Sequence, residues 1–298
     1  MTKVFEGIYI ALTTPFAGDA EIALEKMRDN VRKFNGTAVA GYLVLGSTGE
    51  SVSLTDDESV DLVEAVVESA APGKKVLVGT ARESTKGTLD FTNRVAEVGI
   101  AAALVRPPSY YKSKMTRDAL KKHYLILADG SRAPIVVYNI PQNTGFSLEP
   151  QLVVELAAHH NVIGLKESSG SLGFLGEVAR EVPEDFHYFV GSGHVIYPSL
   201  EMGASGAILA VANAAPELCA EIYRLFRAGD KNEARRLQLD LIPLNKAVSE
   251  KYGIAGLKFA QDLRGYYGGP ARMPLLPPDD KGKQDIADLV KKLGLPPA

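Results

Sequence analysis

Two residues at the ends of apolar runs have side chains suited to carbonyl chemistry. The segment Val162-Ile163-Gly164-Leu165-Lys166-Glu167-Ser168-Ser169 closes an apolar, strand-like run with a lysine and continues into a polar turn. An amine held at such a place is poorly solvated, which favours the neutral form able to attack a ketone and form a Schiff base. A lysine that only leaves its strand and snorkels into water has the same local sequence, and the segment alone does not separate the two. In Val136-Val137-Tyr138-Asn139-Ile140-Pro141-Gln142-Asn143-Thr144-Gly145 a second run ends at Tyr138. Its hydroxyl, beside Lys166, would relay the protons needed for carbinolamine formation, dehydration and carbon-carbon cleavage; a strand tyrosine in isolation is usually core filler.

Two further segments offer binding groups. In Gly46-Ser47-Thr48-Gly49-Glu50-Ser51 the glycines let backbone approach a ligand, and Ser47 and Thr48 present hydroxyls and N-H groups to a small carboxylate. The same string also reads as a helix N-cap, and it lacks the Lys-Ser/Thr of a nucleotide P-loop. Arg106-Pro107-Pro108-Ser109-Tyr110-Tyr111 places paired tyrosines in a proline-stiffened loop, suited to a subunit boundary or to an ordinary aromatic belt.

These groups need a scaffold that gathers strand ends. Eight short apolar runs, Ile8 to Leu12, Gly41 to Leu45, Lys75 to Gly79, Ala101 to Val105, Pro134 to Tyr138, Val162 to Lys166, His187 to Gly191 and Gly206 to Val211, alternate with segments of helical periodicity such as Leu54 to Ala70 and Thr116 to Ala128. That pattern predicts an α/β fold with a parallel sheet buried on both faces. The first βα turn reads Thr13-Thr14-Pro15-Phe16, without the glycine signature of a doubly wound nucleotide fold, so a (β/α)8 TIM barrel is expected. The barrel is expected over residues 1–228, with a C-terminal helical extension packed on it over 229–298. In such a barrel catalytic groups sit at the C-terminal ends of strands.

Composition bounds the rest. The chain has 298 residues, 46% hydrophobic and 23% charged, enough for a large core. Its 33 basic and 36 acidic residues are interleaved, with no basic stripe to release counterions from a nucleic acid. No run is long and apolar enough to span a bilayer and the N-terminus lacks a signal-peptide pattern, so a cytoplasmic protein without membrane partners is expected. Cys219 is the single cysteine and reads as a packed helix residue. The histidines, His123, His159, His160, His187 and His194, show no H-E-x-x-H spacing, and the adjacent pair at 159 and 160 reads as diverging surface side chains. No metal or organic cofactor is expected.

Taken together, the motifs G-S-T-G-E-S from Gly46, Y-N-x-P-x-x-T-G from Tyr138 and G-x-K-E from Gly164 resemble the class I pyruvate-dependent lyases that include dihydrodipicolinate synthase, N-acetylneuraminate lyase and 4-hydroxy-2-oxoglutarate aldolase. The resemblance runs from the Ile8 strand to the Gly-Tyr-Tyr-Gly-Gly-Pro run beginning at Gly265. It implies an imine on Lys166, proton transfer by Tyr138, and a pyruvoyl carboxylate held by Ser47 and Thr48, which also link Tyr138 to a further tyrosine. Tyr110 matches that tyrosine, which the family takes from the partner subunit. Gly191 and Ile208 match positions lining the substrate cavity, and Ser168 one that contacts substrate beyond the pyruvoyl unit. A homotetramer built as a dimer of dimers is implied.

One position bears on substrate. Synthases of the family usually place an arginine where this chain has Asn143, and an amide supplies neither the charge nor the bidentate fork. Pro141 to Gly145, Ser109 to Met115 and the late Gly-Tyr-Tyr-Gly-Gly-Pro-Ala-Arg-Met-Pro run look closer to 4-hydroxy-2-oxoglutarate aldolase. The expected reaction is therefore cleavage of a 4-hydroxy-2-oxo acid to pyruvate and an aldehyde, with Arg106 as a substitute carboxylate clamp. The alternatives are dihydrodipicolinate synthesis from pyruvate and aspartate semialdehyde, a sugar-acid lyase, a hydratase-aldolase, or a keto-acid-binding regulator without catalysis.

Overall fold

The computed structural model describes residues 5–295. Strands β1 (Gly7–Ala11), β2 (Gly41–Val44), β3 (Lys75–Gly79), β4 (Ala102–Val105), β5 (Ile135–Asn139), β6 (Val162–Glu167), β7 (His187–Val190) and β8 (Gly206–Leu209) pair in parallel and in sequence order, and β8 closes on β1. This is the expected barrel. The crossover helices are α1 (Leu24–Asn35), α2 (Asp56–Ser69), α3 (Thr85–Ala96), α4 (Arg117–Gly130), the one-turn α5 (Pro141–Thr144), α6 (Pro150–Ala157), α7 (Leu172–Ala179), α8 (Ile196–Glu201) and α9 (Pro216–Ala228).

Period-two alternation sorts the strand residues into two cores. Tyr9, Leu43, Leu77, Leu104, Val136 and Phe189 fill the barrel interior, whereas their neighbours Ile8, Ile10, Val44, Val78, Val105 and Val137 pack outward against the helices. Burying a side chain of this size contributes roughly 1.5–3 kcal/mol, so both layers hold the strand ends in place.

The loop after β2 is not the N-cap that its sequence also suggested. Leu45 has φ +59, which ends the strand, and Ser47–Gly49 and Ser51–Ser53 form two short 3-10 turns. The cap of α2 is Thr55, whose hydroxyl accepts from Glu58 N while the Glu58 carboxylate accepts from Thr55 N. β8 stops at Leu209, two residues before the expected Val211. The Asn213 side chain donates to Ala11 O and Ala210 O and draws that segment into a 3-10 turn.

Beyond α9, α10 (Lys231–Lys246) runs into a π-helical turn, Ala247–Lys251, followed by α11 (Gly253–Leu263) and α12 (Asp280–Lys292). α10 packs on α8 and α9, and α11 reaches the turn after β8. Among the described residues no helix is long and apolar enough to cross a membrane.

Candidate active site

β5 and β6 pair with Tyr138 opposite Lys166 and Asn139 opposite Glu167. Simple alternation would not bring the amine inward. Val162 faces the helices, and Lys166, four residues on, should face them too. The pairing slips between Ile135 and Val136, where Val136 meets Gly164 instead of Ile163, and this extra residue inverts the remaining faces of β6. Leu165 therefore packs outward and Lys166 lines the chamber at the barrel mouth.

The Lys166 amine lies 4.4 Å from the centroid of the Tyr138 ring. Lys166 is 4% exposed and Tyr138 5%, so the pair is nearly dry. The observed contact is with the ring face, which carries the negative end of the aromatic quadrupole. The expected neighbour is thus present, although through its π face.

Around this pair lies a chamber of ≈ 380 Å³. Of the residues singled out from the sequence, Ser47, Thr48, Asn143, Ser168, Gly191 and Ile208 all line it. Thr14, buried at the end of β1, donates its hydroxyl to Gly49 O at 2.6 Å and supports the loop bearing Ser47 and Thr48. Gln142 donates to Ser168 O at 3.1 Å and joins the loops after β5 and β6. An outer chamber of ≈ 520 Å³ shares Ser47, Tyr138, Asn143, Ile254 and Leu275 with the inner one, so the two are continuous.

Two expected residues stand elsewhere. Tyr110 is 78% exposed, packs edge-on against Tyr111, and does not line the Lys166 chamber of its own chain. Arg106 reaches the outer chamber and not the inner one, and its Nη1 donates to the Glu83 carboxylate at 2.9 Å and to Pro107 O at 3.0 Å. As a clamp it is already partly neutralised. Glu83 also accepts from the backbone N-H groups of Ser109 and Tyr110. Burial alone would raise its carboxyl, but those two N-H groups and the Arg106 guanidinium hold it below the usual range.

Sequence reasoning missed the outer wall of the site. Val248, Ser249 and Tyr252, from the π-turn and the residue after it, and Ile254 from α11 all face the inner chamber. Pro243 inside α10 and Gly253 at φ +58 were the available signals of irregular backbone there. The expectation for His159 and His160 is corrected: their rings do not diverge but stack, with centroids 4.7 Å apart, and His159 contacts Asp129 at 3.0 Å. Among the described residues no three His, Cys, Asp or Glu side chains are grouped as a metal site would require. Cys219 is buried, and burial pushes its thiol well above the usual range, in keeping with a packed residue.

A closed parallel barrel with a lysine and a tyrosine facing each other across two neighbouring strand ends defines a class, the barrel lyases. The chain belongs to the Dihydrodipicolinate synthetase family, whose family model matches residues 4–293. It is accordingly a pyruvate-dependent carbon-carbon lyase by family. It is 34% identical over 294 residues to the 4-hydroxy-tetrahydrodipicolinate synthase of Methanopyrus kandleri, covering 98% of this chain and 97% of that one. The synthase of Methanospirillum hungatei is also 34% identical, over 97% of this chain and 98% of its own. Among solved structures, dihydrodipicolinate synthase from Aquifex aeolicus superposes with TM-score 0.92 at 29% identity, covering 98% of this chain and 99% of that one. These relatives carry the activity that the sequence reading ranked second, behind cleavage of a 4-hydroxy-2-oxo acid.

Proposed function

We propose that this enzyme makes or breaks a carbon-carbon bond at C3 of pyruvate through an imine on Lys166. The observation that carries the reading is the nearly dry Lys166 amine, 4.4 Å from the Tyr138 ring in a chamber at the barrel mouth. The Lys166 nitrogen adds to the C2 carbonyl, the carbinolamine loses water, and Tyr138 relays away a C3 proton as the iminium draws the electrons of that C3-H bond into an enamine. C3 then adds to an aldehyde, the new alkoxide takes up a proton, and water hydrolyses the imine. In the reverse direction Tyr138 takes the C4 hydroxyl proton as the C3-C4 bond breaks, the iminium receives the electron pair, and C3 is reprotonated. The iminium is its own electron sink, so the reaction needs no metal or organic cofactor.

In this reading Ser47 and Thr48 hold the pyruvoyl carboxylate, while Asn143, Ser168, Gly191 and Ile208 surround the remainder of the substrate. Tyr110, facing solvent in its own chain, completes the chamber of a second copy, and two such pairs make the tetramer. The working compartment is the cytoplasm.

The aldehyde has two readings. The names of the relatives give wider support to condensation with aspartate semialdehyde. The chamber bears on the choice at one point: Asn143 offers an amide where an arginine would clamp a distal carboxylate, and Arg106 is bound to Glu83, which favours cleavage of a 4-hydroxy-2-oxo acid whose aldehyde half carries no carboxylate.

Incubation with pyruvate and borohydride tests the common step. A reduced adduct on the Lys166 peptide, absent from Lys166→Ala, is expected, and an unmodified peptide with retained turnover overturns the proposal. Turnover of pyruvate plus aspartate semialdehyde, of 4-hydroxy-2-oxoglutarate and of N-acetylneuraminate then assigns the aldehyde.

A further inference from the structure

We infer that Asn139 and Glu167 are positioning residues, a buried hydrogen-bonded link behind the sheet that fixes the Lys166 amine against Tyr138. The inference deepens the reading above and rests on it. Tyr138 and Lys166 face the chamber from paired positions on β5 and β6, and the next pair, Asn139 and Glu167, faces the helices. Glu167 is fully buried, and one carboxylate oxygen accepts from Asn139 Nδ2 at 3.2 Å and from Ser169 N at 2.7 Å. The other accepts from Gly170 N at 3.0 Å. The Asn139 side-chain oxygen Oδ1 in turn accepts from Leu148 N at 2.9 Å.

A carboxylate is costly to remove from water unless its oxygens are bonded, and an apolar pair would fill the same layer without that demand. Val137 and Leu165 do so one step earlier on the same two strands. The polar pair adds direction: it ties β5 to β6 at one register, just beyond the slip in their pairing, where alternation alone no longer specifies which residues meet. The tie extends sideways, because Ser168 N donates to Asn139 O at 2.9 Å and Gly191 N donates to Glu167 O at 2.6 Å. Three strand ends that line the chamber are thereby held in one frame.

Glu167→Gln keeps the shape of the side chain but turns one oxygen, an acceptor, into a donor facing an N-H group. A misplacement of about 1 Å at a reacting centre costs about 10²-fold in rate. Glu167→Gln is therefore expected to lower kcat by about 10²-fold while changing the KM for pyruvate by no more than about threefold, since the carboxylate site is in the loop after β2. The same substitution in the Tyr138→Phe background is expected to cost less than about threefold, because the proton transfer that this alignment serves has already lost the Tyr138 hydroxyl. A purely structural role would lower the rate by the same factor in both backgrounds. Asn139→Ala repeats the cycle should Glu167→Gln fail to fold, with thermal unfolding as the control.

Equal losses in both backgrounds, or kcat within about twofold of wild type, overturn the inference alone. A wild-type protein that gives no borohydride-stable pyruvate adduct removes the imine reading, and this inference with it.

Discussion

Glu50 and Lys258 form an ion pair of 2.6 Å in which each side chain is only 1% exposed. Glu50 belongs to the loop of Ser47 and Thr48, and Lys258 to α11, so the pair fastens the carboxylate-binding loop to the C-terminal helices. Lys258 also donates to Pro270 O at 2.7 Å and lies over the Phe16 ring. Burial lowers the Lys258 amine, and Glu50 opposes that shift. Removing one partner strands a buried charge, so Lys258→Met is expected to destabilise the fold by roughly 3–5 kcal/mol. Urea unfolding of Lys258→Met and of Lys258→Met with Glu50→Gln measures the coupling, and the double variant should recover part of the loss.

Gly191 stands where a methyl group has no room. A Cβ there would overlap Ser168 Oγ and would lie 2.9 Å from Ser168 Cβ and 3.0 Å from Lys166 Cε. Gly191→Ala is expected to push the lysine chain off its line over Tyr138 and to lower kcat by about tenfold or more. The strain should cost about 1–3 kcal/mol of stability. Steady-state kinetics with a thermal melt check both, and undiminished turnover would show that the lysine chain has slack.

His123 gives the fold an acid limit. Its ring is buried against Tyr124, its Nδ1 meets the Thr85 hydroxyl at 2.9 Å, and burial lowers it from 6.5 to about 4. Between those values the unfolded chain binds the proton that the folded chain refuses, so stability falls as pH drops from 6.5 towards 4 and levels off below. The loss amounts to roughly 3 kcal/mol. Unfolding free energies from urea titrations at pH 7.5 and 4.5 should differ less in His123→Gln than in wild type, by roughly 2.5 kcal/mol.

Glu83 orders the tyrosine loop. Its carboxylate caps the N-H groups of Ser109 and Tyr110 and pairs with Arg106, and together these partners hold it below the usual carboxylate range. That order is present at neutral pH and is lost as acid protonates the group. Glu83→Ala is expected to speed hydrogen exchange at the Ser109 and Tyr110 amides at pH 7 while leaving the barrel amides unchanged. If Tyr110 completes a second copy's chamber, turnover falls with it.

The barrel was legible because eight apolar runs and their helices repeat in order, a pattern that survives errors of one or two residues at each boundary. The errors have local causes: a left-handed Leu45 ends β2, and the Asn213 side chain ends β8. Lys166 and Tyr138 were legible as polar side chains closing apolar strands. Their mutual distance was not, since the slip at Ile163 is set by pairing with β5. Glu83 carries no local signature, and for Ser249 and Tyr252 Pro243 and Gly253 signal irregular backbone without saying what it faces, because packing between distant segments brings these residues to the inner chamber or to the tyrosine loop.

The extra residue at Ile163 acts as a half-turn coupling in the shaft of β6. Odd and even positions exchange roles across it, so closing the bulge with the chain length unchanged would rotate the nucleophile into the helical mantle and swing Glu167 into the reaction chamber, whereas excising Ile163 would leave both on their present faces. The reactive face of β6 is therefore set by the slipped pairing with β5 and not by the count of residues along the strand, so the bulge is as much a part of the catalyst as the amine it aims.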